Sequence, residues 1–287
     1  MNNTFDMKRF GRLAACHLAD TWKAFVKQTL GICFALTISY CFTVWEQRNL
    51  YPAVAGIKHT NQLLCGFTLL AFYVFITISA AAIFANMKTK QQRITFMMLP
   101  ASNLEKFLIR FLTVTIGYFL CFTTGFIMAD ILQMTFRTAV TGVFGFHSIV
   151  WEAIRTIWEF LTELFSYTPP EDSPILLIRS PLLILLTIII GYIHIHSVYT
   201  LGGVLFRKHA WLLTTCAIFT VSFMITIFAG DLFEKIMELP FSFGKELPEH
   251  VLGIYLTGMT VMTALFYWAS YKLFTRMQVI NNKWINI

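Results

Sequence analysis

Two histidines in the apolar second half of the chain, His194 and His196, are the side chains best suited to chemistry inside a membrane. A pair of imidazoles can bind haem or a metal ion, or pass protons along a path. Residues two apart on a helix point about 200° away from each other, so a single site cannot easily use both. Two interpretations stay open: a haem or metal site, or histidines that each hydrogen-bond to a neighbouring helix.

The motifs of several enzyme classes are absent from the sequence. It contains no GxxxxGK[ST] phosphate-binding loop, no GxSxG serine-hydrolase motif, no HExxH zinc motif and no GxGxxG dinucleotide motif. A chain without the phosphate-binding loop cannot bind ATP in that way. The six cysteines form no CxxC pair, which favours buried free thiols. We therefore expect no enzymatic activity, catalytic residue, metal or cofactor in this chain itself.

The stretch RITFMMLPASNLEKFLIRF, residues 93–111, concentrates charge in a chain that otherwise has little. The chain is 57% hydrophobic and 13% charged, whereas soluble domains carry about 25% charged residues. Pro100 interrupts the stretch, and Ser102 followed by Glu105 forms an S-x-x-E capping box, which starts a helix. The pattern predicts a rigid corner whose capped helix continues into the next apolar run.

Six apolar runs are each about long enough to cross a bilayer, whose core needs about 20 helical residues. None of the runs contains Lys, Arg, Asp or Glu, so the sequence predicts an all-α integral membrane protein with one domain over residues 1–287. Small residues at 79–82 and at Gly202-Gly203 favour close helix packing. The predicted spans are 28–45, 62–85, 111–129, 181–206, 210–230 and 251–271.

Loop charges predict the orientation of these spans. Fifteen of the 22 Lys and Arg residues, with three acidic residues, fall on the side that carries both chain ends, and the other side has 12 of the 15 acidic residues. Basic loops face the cytoplasm, so both termini and the 93–111 stretch are predicted to be cytoplasmic. The net charge of +7 is attributed to these loops and not to nucleic-acid binding.

Two amphipathic segments are predicted to lie on the membrane surface. Residues 1–27 place basic side chains at the start of a helical apolar pattern, which is typical of an interfacial helix on anionic lipid. The outer segment 130–180 contains a helical pattern with Glu152, Arg155 and Glu159 on one polar stripe. Asp130, at the predicted outer end of the third span, is interpreted as an interface residue.

The residues LPASNLEKFLIRFL, 99–112, following a basic loop on a six-span chain, resemble permease subunits of ABC-2-type ABC transporters. The similarity is greatest to a bacterial subgroup with an LPAS-x-x-EKF-like segment between spans two and three. It implies that 1–27 is a connecting helix, that 88–110 is a coupling segment seated in a separately encoded ATPase, and that short outer helices lie within 231–250. The residues it assigns to ATPase coupling are Arg93, Phe96, Met97, Leu99, Pro100, Ser102, Glu105 and Lys106.

The resemblance also implies the partners and the location. The chain would be a multi-pass permease subunit of an ATP-driven transporter in a bacterial inner membrane, with ATP and Mg bound by the partner ATPase. We expect a homodimer or a second permease subunit, membrane lipid as a further partner, no nucleic acid, and export in preference to import. Segment 130–180 is longer than the usual connection in that family. A membrane enzyme using His194 and His196 and a non-transporting scaffold remain alternatives.

Overall fold

A computed structural model describes residues 5–48, 53–87, 89–142, 145, 147–166, 180–206, 208–241 and 249–276. Within those ranges the regular elements are helices. Two short 3₁₀ turns, Ala80–Ala82 and Ala85–Met87, follow the second helix, and a π-helical turn, Thr113–Gly117, joins the fourth to the fifth. The α-helices are α1 (Met7–Gln47), α2 (Ala53–Ser79), α3 (Lys90–Met97), α4 (Asn103–Leu112), α5 (Tyr118–Thr141), α6 (Ile149–Ser166), α7 (Pro181–Leu205), α8 (Ala210–Phe241) and α9 (Glu249–Arg276).

Six helical stretches in the described part of the chain are long and apolar enough to cross a membrane, which confirms the predicted number. Each overlaps one predicted run, so the all-α, multi-pass fold class is as the sequence predicts. The cytoplasmic placement of the termini stays a prediction. The stretches are Met7–Gln47, Ile57–Ala82, Asn103–Thr141, Pro181–Leu205, Ala210–Ile227 and Leu252–Arg276.

Helix α1 differs from the sequence prediction because it is one continuous helix of 41 residues. The carboxylate of Asp6 caps its start by accepting hydrogen bonds from the backbone N–H groups of Lys8 (2.8 Å) and Arg9 (3.3 Å). No proline interrupts it, so the predicted connecting helix and the first span run on without a break. At 1.5 Å per residue the helix is roughly 60 Å long, about twice the thickness of a hydrocarbon core.

The outer segments also depart from the prediction in part. Residues 231–241, where short outer helices were expected, belong to α8, and residues 242–248 lie outside the described residues. Helix α5 extends to Thr141, twelve residues beyond the predicted end of the third span at 129, because residues 130–141 contain no glycine or proline. Gly142 ends it in the left-handed conformation at φ +69°. Helix α6 lies within the segment 130–180, and its placement on the outer membrane surface stays a prediction.

The chain divides into two compact units. The first contains Thr77–Arg110 and Leu164–Ile287. In it the small residues pack as predicted: a Cβ atom on Gly203 of α7 would lie 2.5 Å from the backbone oxygen of Ala81. Glycine is therefore required for this approach of the two backbones. Tyr199 and Ala80 are buried beside the same contact.

The second unit contains Asn2–Ile76 and Phe111–Glu163. Helices α1 and α5 pack in parallel, since Gly117 lies against Phe25 and Gly125 lies against the backbone of Thr29. Its buried core draws on four helices. The core residues are Cys33, Leu36, Tyr40 and Val44 of α1, Leu64 and Cys65 of α2, Phe122 and Ala129 of α5, and Ile149 and Ala153 of α6.

Candidate functional site

The predicted corner, defined here as residues 89–112, consists of α3, α4 and the link between them. A capping box that the sequence analysis missed starts α3. The hydroxyl of Thr89 accepts a hydrogen bond from the Gln92 backbone N–H, and the Gln92 side-chain oxygen accepts one from the Thr89 backbone N–H, both at 3.2 Å. The T-x-x-Q spacing in the sequence is the signal that could have revealed it.

The second capping box starts α4 and confirms the prediction. The Ser102 hydroxyl accepts from the Glu105 backbone N–H at 3.3 Å, and a carboxylate oxygen of Glu105 accepts from the Ser102 backbone N–H at 3.0 Å. The Glu105 side chain is fully buried, with 0% of its surface exposed. Reciprocal bonds of this kind fix both the start and the direction of a helix.

Two buried cations on α4 hold the corner to its surroundings. The ammonium group of Lys106 donates to the backbone oxygen of Met97 at 2.7 Å, which joins α4 to the end of α3. The Nε group of Arg110 donates to the backbone oxygen of Ile83 at 2.8 Å, which joins α4 to the turn after α2. Hydrogen bonds from charged donors are about twice as strong as neutral ones. The charges therefore help to fix the shape of the corner.

The corner packs against α9 through an aromatic cluster. The ring of Phe274 is buried and stacks on Phe84, with ring centroids 4.9 Å apart and planes 7° apart. Phe107 of α4 and Phe96 of α3 reach the same ring at 5.9 and 6.5 Å. Aromatic contacts at these distances add packing energy beyond buried area. Both helices of the corner are thus anchored to one spanning helix.

The structure places the eight residues assigned to ATPase coupling in different surroundings. Five are buried within the chain, Met97 and Leu99 are half-buried, and Pro100 is exposed. Arg93, for example, is only 2% exposed. The buried residues build the corner and do not form its accessible surface, and their coupling role stays a prediction. The five buried residues are Arg93, Phe96, Ser102, Glu105 and Lys106.

The accessible surface of the corner contains two large apolar side chains that are absent from that set. Met98 is 78% exposed and Leu104 is 44% exposed. Lys90, Gln91 and Thr95 expose polar groups on α3. The sequence carries no signal for Leu104, because its exposure goes with the burial of Glu105 and Lys106 on the other side of α4, which only the structure shows.

The two histidines of the alternative site both bond to α9. His194 Nδ1 lies 3.0 Å from the hydroxyl oxygen of Thr263, and His196 Nδ1 lies 2.9 Å from that of Tyr267. Both reach the same neighbouring helix, although they were expected to point apart. The contacts are those of the hydrogen-bonded interpretation. Among the side chains that the structure describes, no three of His, Cys, Asp or Glu are grouped closely enough to hold a metal ion.

Comparison of the chain with protein-family models, with curated proteins and with solved structures gave no match. A functional proposal must therefore rest on the sequence resemblance and on the geometry of the corner. The corner combines two capped helices, internal anchors and an outward apolar surface. This combination is more typical of a docking element than of a flexible loop. A preorganised surface loses less conformational entropy when it binds a partner.

Proposed function

We propose that this chain is the membrane-spanning permease subunit of an ABC-2-type transporter, and that the corner docks a separately encoded ATPase. The proposal is supported by the resemblance at residues 99–112 and by the six helices long enough to cross a membrane. The observation that carries it is the corner itself. Its two capped helices are anchored internally by Lys106 and Arg110 and present Met98 and Leu104 outward.

In this proposal α4 is the lever that receives motion from the ATPase. Helix α4 continues through Thr113–Gly117 into α5, giving one helical stretch of 39 residues from Asn103 to Thr141. A displacement of α4 would pass along that stretch into the third span, whereas a flexible loop would absorb it. ATP and Mg would stay on the partner, and two permease subunits in an inner membrane would enclose an export path.

We propose that some residues of the corner maintain its shape and that others contact the ATPase. Glu105 and Lys106 hold the shape, since their polar atoms bond within the chain. The contact with the ATPase is proposed for the exposed Met98 and Leu104, with Lys90 at the edge. Apolar side chains at the centre of a contact and polar ones at its rim are the usual arrangement of protein interfaces.

The test is co-purification with the ATPase encoded beside this chain. We expect Met98→Glu and Leu104→Glu to reduce the recovered ATPase about tenfold, equivalent to about 1.4 kcal/mol of binding free energy. Met7→Glu is the matched control, because Met7 is also an exposed methionine, 75% accessible, and lies outside the corner. Thermal unfolding of each variant shows whether the fold is intact. The proposal fails if wild type recovers no ATPase, or if folded Met98→Glu and Leu104→Glu recover as much as wild type.

A further inference from the structure

A buried polar stripe runs along the end of α5 in the second unit. Asp130, Gln133 and Arg137 are spaced three and four residues apart, which places them on one face of the helix. They are 3%, 0% and 2% exposed. The stripe continues the buried face that includes Phe122 and Ala129 of the apolar core. Polar residues this deeply buried are ordinarily paired.

Asp130 is paired, because its carboxylate caps α6. One oxygen accepts from the hydroxyl of Ser148 at 2.6 Å and from the backbone N–H of Val150 at 3.4 Å. The other accepts from the backbone N–H of Ile149 at 2.8 Å. A carboxylate here also faces the positive end of the α6 dipole. The negative charge of Asp130 is therefore largely committed to α6.

The terminal nitrogens of Arg137 and the side-chain amide of Gln133 have no such partners among the described residues. Neither terminal nitrogen of Arg137, Nη1 or Nη2, has a hydrogen-bond partner among the residues that the structure describes. The same holds for both side-chain polar atoms of Gln133 and for Nε2 of His147. Leaving one buried polar atom without a partner is unfavourable by about 1–3 kcal/mol, and by more for a charged group. These three side chains contribute five such atoms. Their number indicates that a polar ligand binds between them.

The charges around Arg137 define what that group must be. Asp130 and His147 are the described side chains with which Arg137 interacts electrostatically. Burial lowers the pKa of His147, and the positive charge of Arg137 lowers it further, which favours the neutral imidazole. Asp130 attracts the guanidinium but gives its oxygens to α6. The missing partner of Arg137 is therefore an anion that accepts hydrogen bonds.

We propose that Arg137, Gln133 and His147 form a binding site for a phosphate-type oxyanion. The two terminal nitrogens of a guanidinium match two oxygens of such an anion in a bidentate pair. The amide nitrogen of Gln133 donates to a third oxygen. Its amide oxygen and His147 Nε2 can accept from a hydroxyl, which is a P–OH in inorganic phosphate and a glycerol hydroxyl in a phosphatidylglycerol headgroup. The anion is either free inorganic phosphate or the headgroup of an anionic phospholipid. The site does not depend on the ATPase proposal.

The test uses the purified full-length chain and two probes. In the first arm, thermal unfolding is followed by tryptophan fluorescence in inorganic phosphate and in chloride at equal ionic strength. In the second, the chain is reconstituted in nanodiscs of phosphatidylglycerol or of a galactolipid, which lacks phosphate. The variant is Arg137→Met. The matched control is Arg155→Met, since Arg155 is an exposed arginine on α6 that pairs with Glu159 at 2.7 Å.

We expect wild type and Arg155→Met to unfold about 5 °C higher with one of the two phosphate-bearing probes than with its control. Arg137→Met should show no such gain. Without phosphate it should unfold no earlier than wild type, because methionine removes a buried charge that lacks a direct partner. A gain in the first arm identifies free phosphate, and a gain in the second identifies the headgroup. If Arg137→Met does not fold, Gln133→Leu replaces it and should show a smaller gain than wild type.

Three results would overturn the proposal. The first is no gain for wild type in either arm. The second is an equal gain in wild type and Arg137→Met, which would reflect the general effect of phosphate or anionic lipid on stability. The third is an equal loss of stability in Arg137→Met under all four conditions, which would indicate a purely structural arginine.

Discussion

Two groups of buried charged residues lie on the same helical stretch and differ in how their polar atoms are satisfied. On α4, the carboxylate of Glu105 and the cations of Lys106 and Arg110 all bond to atoms of the chain. In the second unit, Asp130 bonds to α6, but the terminal nitrogens of Arg137 have no partner among the described residues. Burial alone therefore does not show whether a charged side chain stabilises the fold or binds a ligand. A hydrogen-bond partner within the chain indicates a role in the fold, and the lack of one among the described residues indicates binding.

The largest effect that would test this contrast is expected at Glu105. Glu105→Leu removes the acceptor for the buried Ser102 N–H and leaves that group without its partner in the capping box. We expect the free energy of unfolding to fall by about 2–3 kcal/mol, measured by thermal unfolding in detergent. Asn103→Ala, an exposed position in the same first turn, is the control and should change stability little. An unchanged unfolding temperature for Glu105→Leu would contradict the structural role of the corner's charges.

The second test compares two identical substitutions. Arg110→Met removes a charge-assisted hydrogen bond to the backbone oxygen of Ile83, so we expect a loss of about 2 kcal/mol. Arg137→Met in a phosphate-free buffer removes no hydrogen bond from Nη1 or Nη2 to the described residues and should cause no loss. The measurement is the difference between the two unfolding temperatures. Equal losses would show that the two arginines are both structural, and the contrast would disappear.

The smallest effect separates the two capping boxes. Thr89→Ala breaks an exposed box, and Ser102→Ala breaks a buried one with the same pattern of bonds. We expect a loss of about 0.5 kcal/mol for the first and about 1 kcal/mol or more for the second, because water can replace an exposed partner. Thermal unfolding of each variant against wild type measures the two losses. A loss for Thr89→Ala as large as that for Ser102→Ala would not fit this order.

The sequence was sufficient for features that depend on composition and short spacing. Six apolar runs predicted six helices long enough to cross a membrane, because a bilayer imposes length and hydrophobicity on each of them. The Ser102–Glu105 box was also predictable, since both partners lie within four residues. The continuity of α1 was not, because an amphipathic pattern followed by an apolar one is compatible with one long helix or with two.

The other contacts that hold the corner could not be predicted, because they use backbone oxygen atoms. Lys106 and Arg110 bond to the backbone oxygens of Met97 and Ile83, and any residue type provides such an oxygen. A charged residue in a loop is ordinarily exposed, so the burial of Arg93 and Lys106 could not be inferred from their identities. Whether these residues contact an ATPase stays a prediction.

The polar stripe on α5 was missed for a different reason. Asp130 was interpreted as an interface residue, whereas in the structure it caps a helix that begins nineteen residues later along the chain. Only the fold brings Asp130 and Ile149 together. The spacing of Asp130, Gln133 and Arg137 at three, then four residues was visible and could have identified a polar face. It could not have shown that this face is buried.

The π-helical turn at Thr113–Gly117 determines where along this helix the chain length can change. An α-helix turns by about 100° per residue, and a π-turn takes in one surplus residue without rotating the helix that follows. A chain lacking Thr115 can therefore wind as a uniform α-helix through this turn. The same deletion at Phe126 would turn Gln133 and Arg137 about 100° relative to the part of α5 before it. We therefore expect the helix to tolerate a one-residue deletion inside the π-helical turn and not at Phe126 of α5.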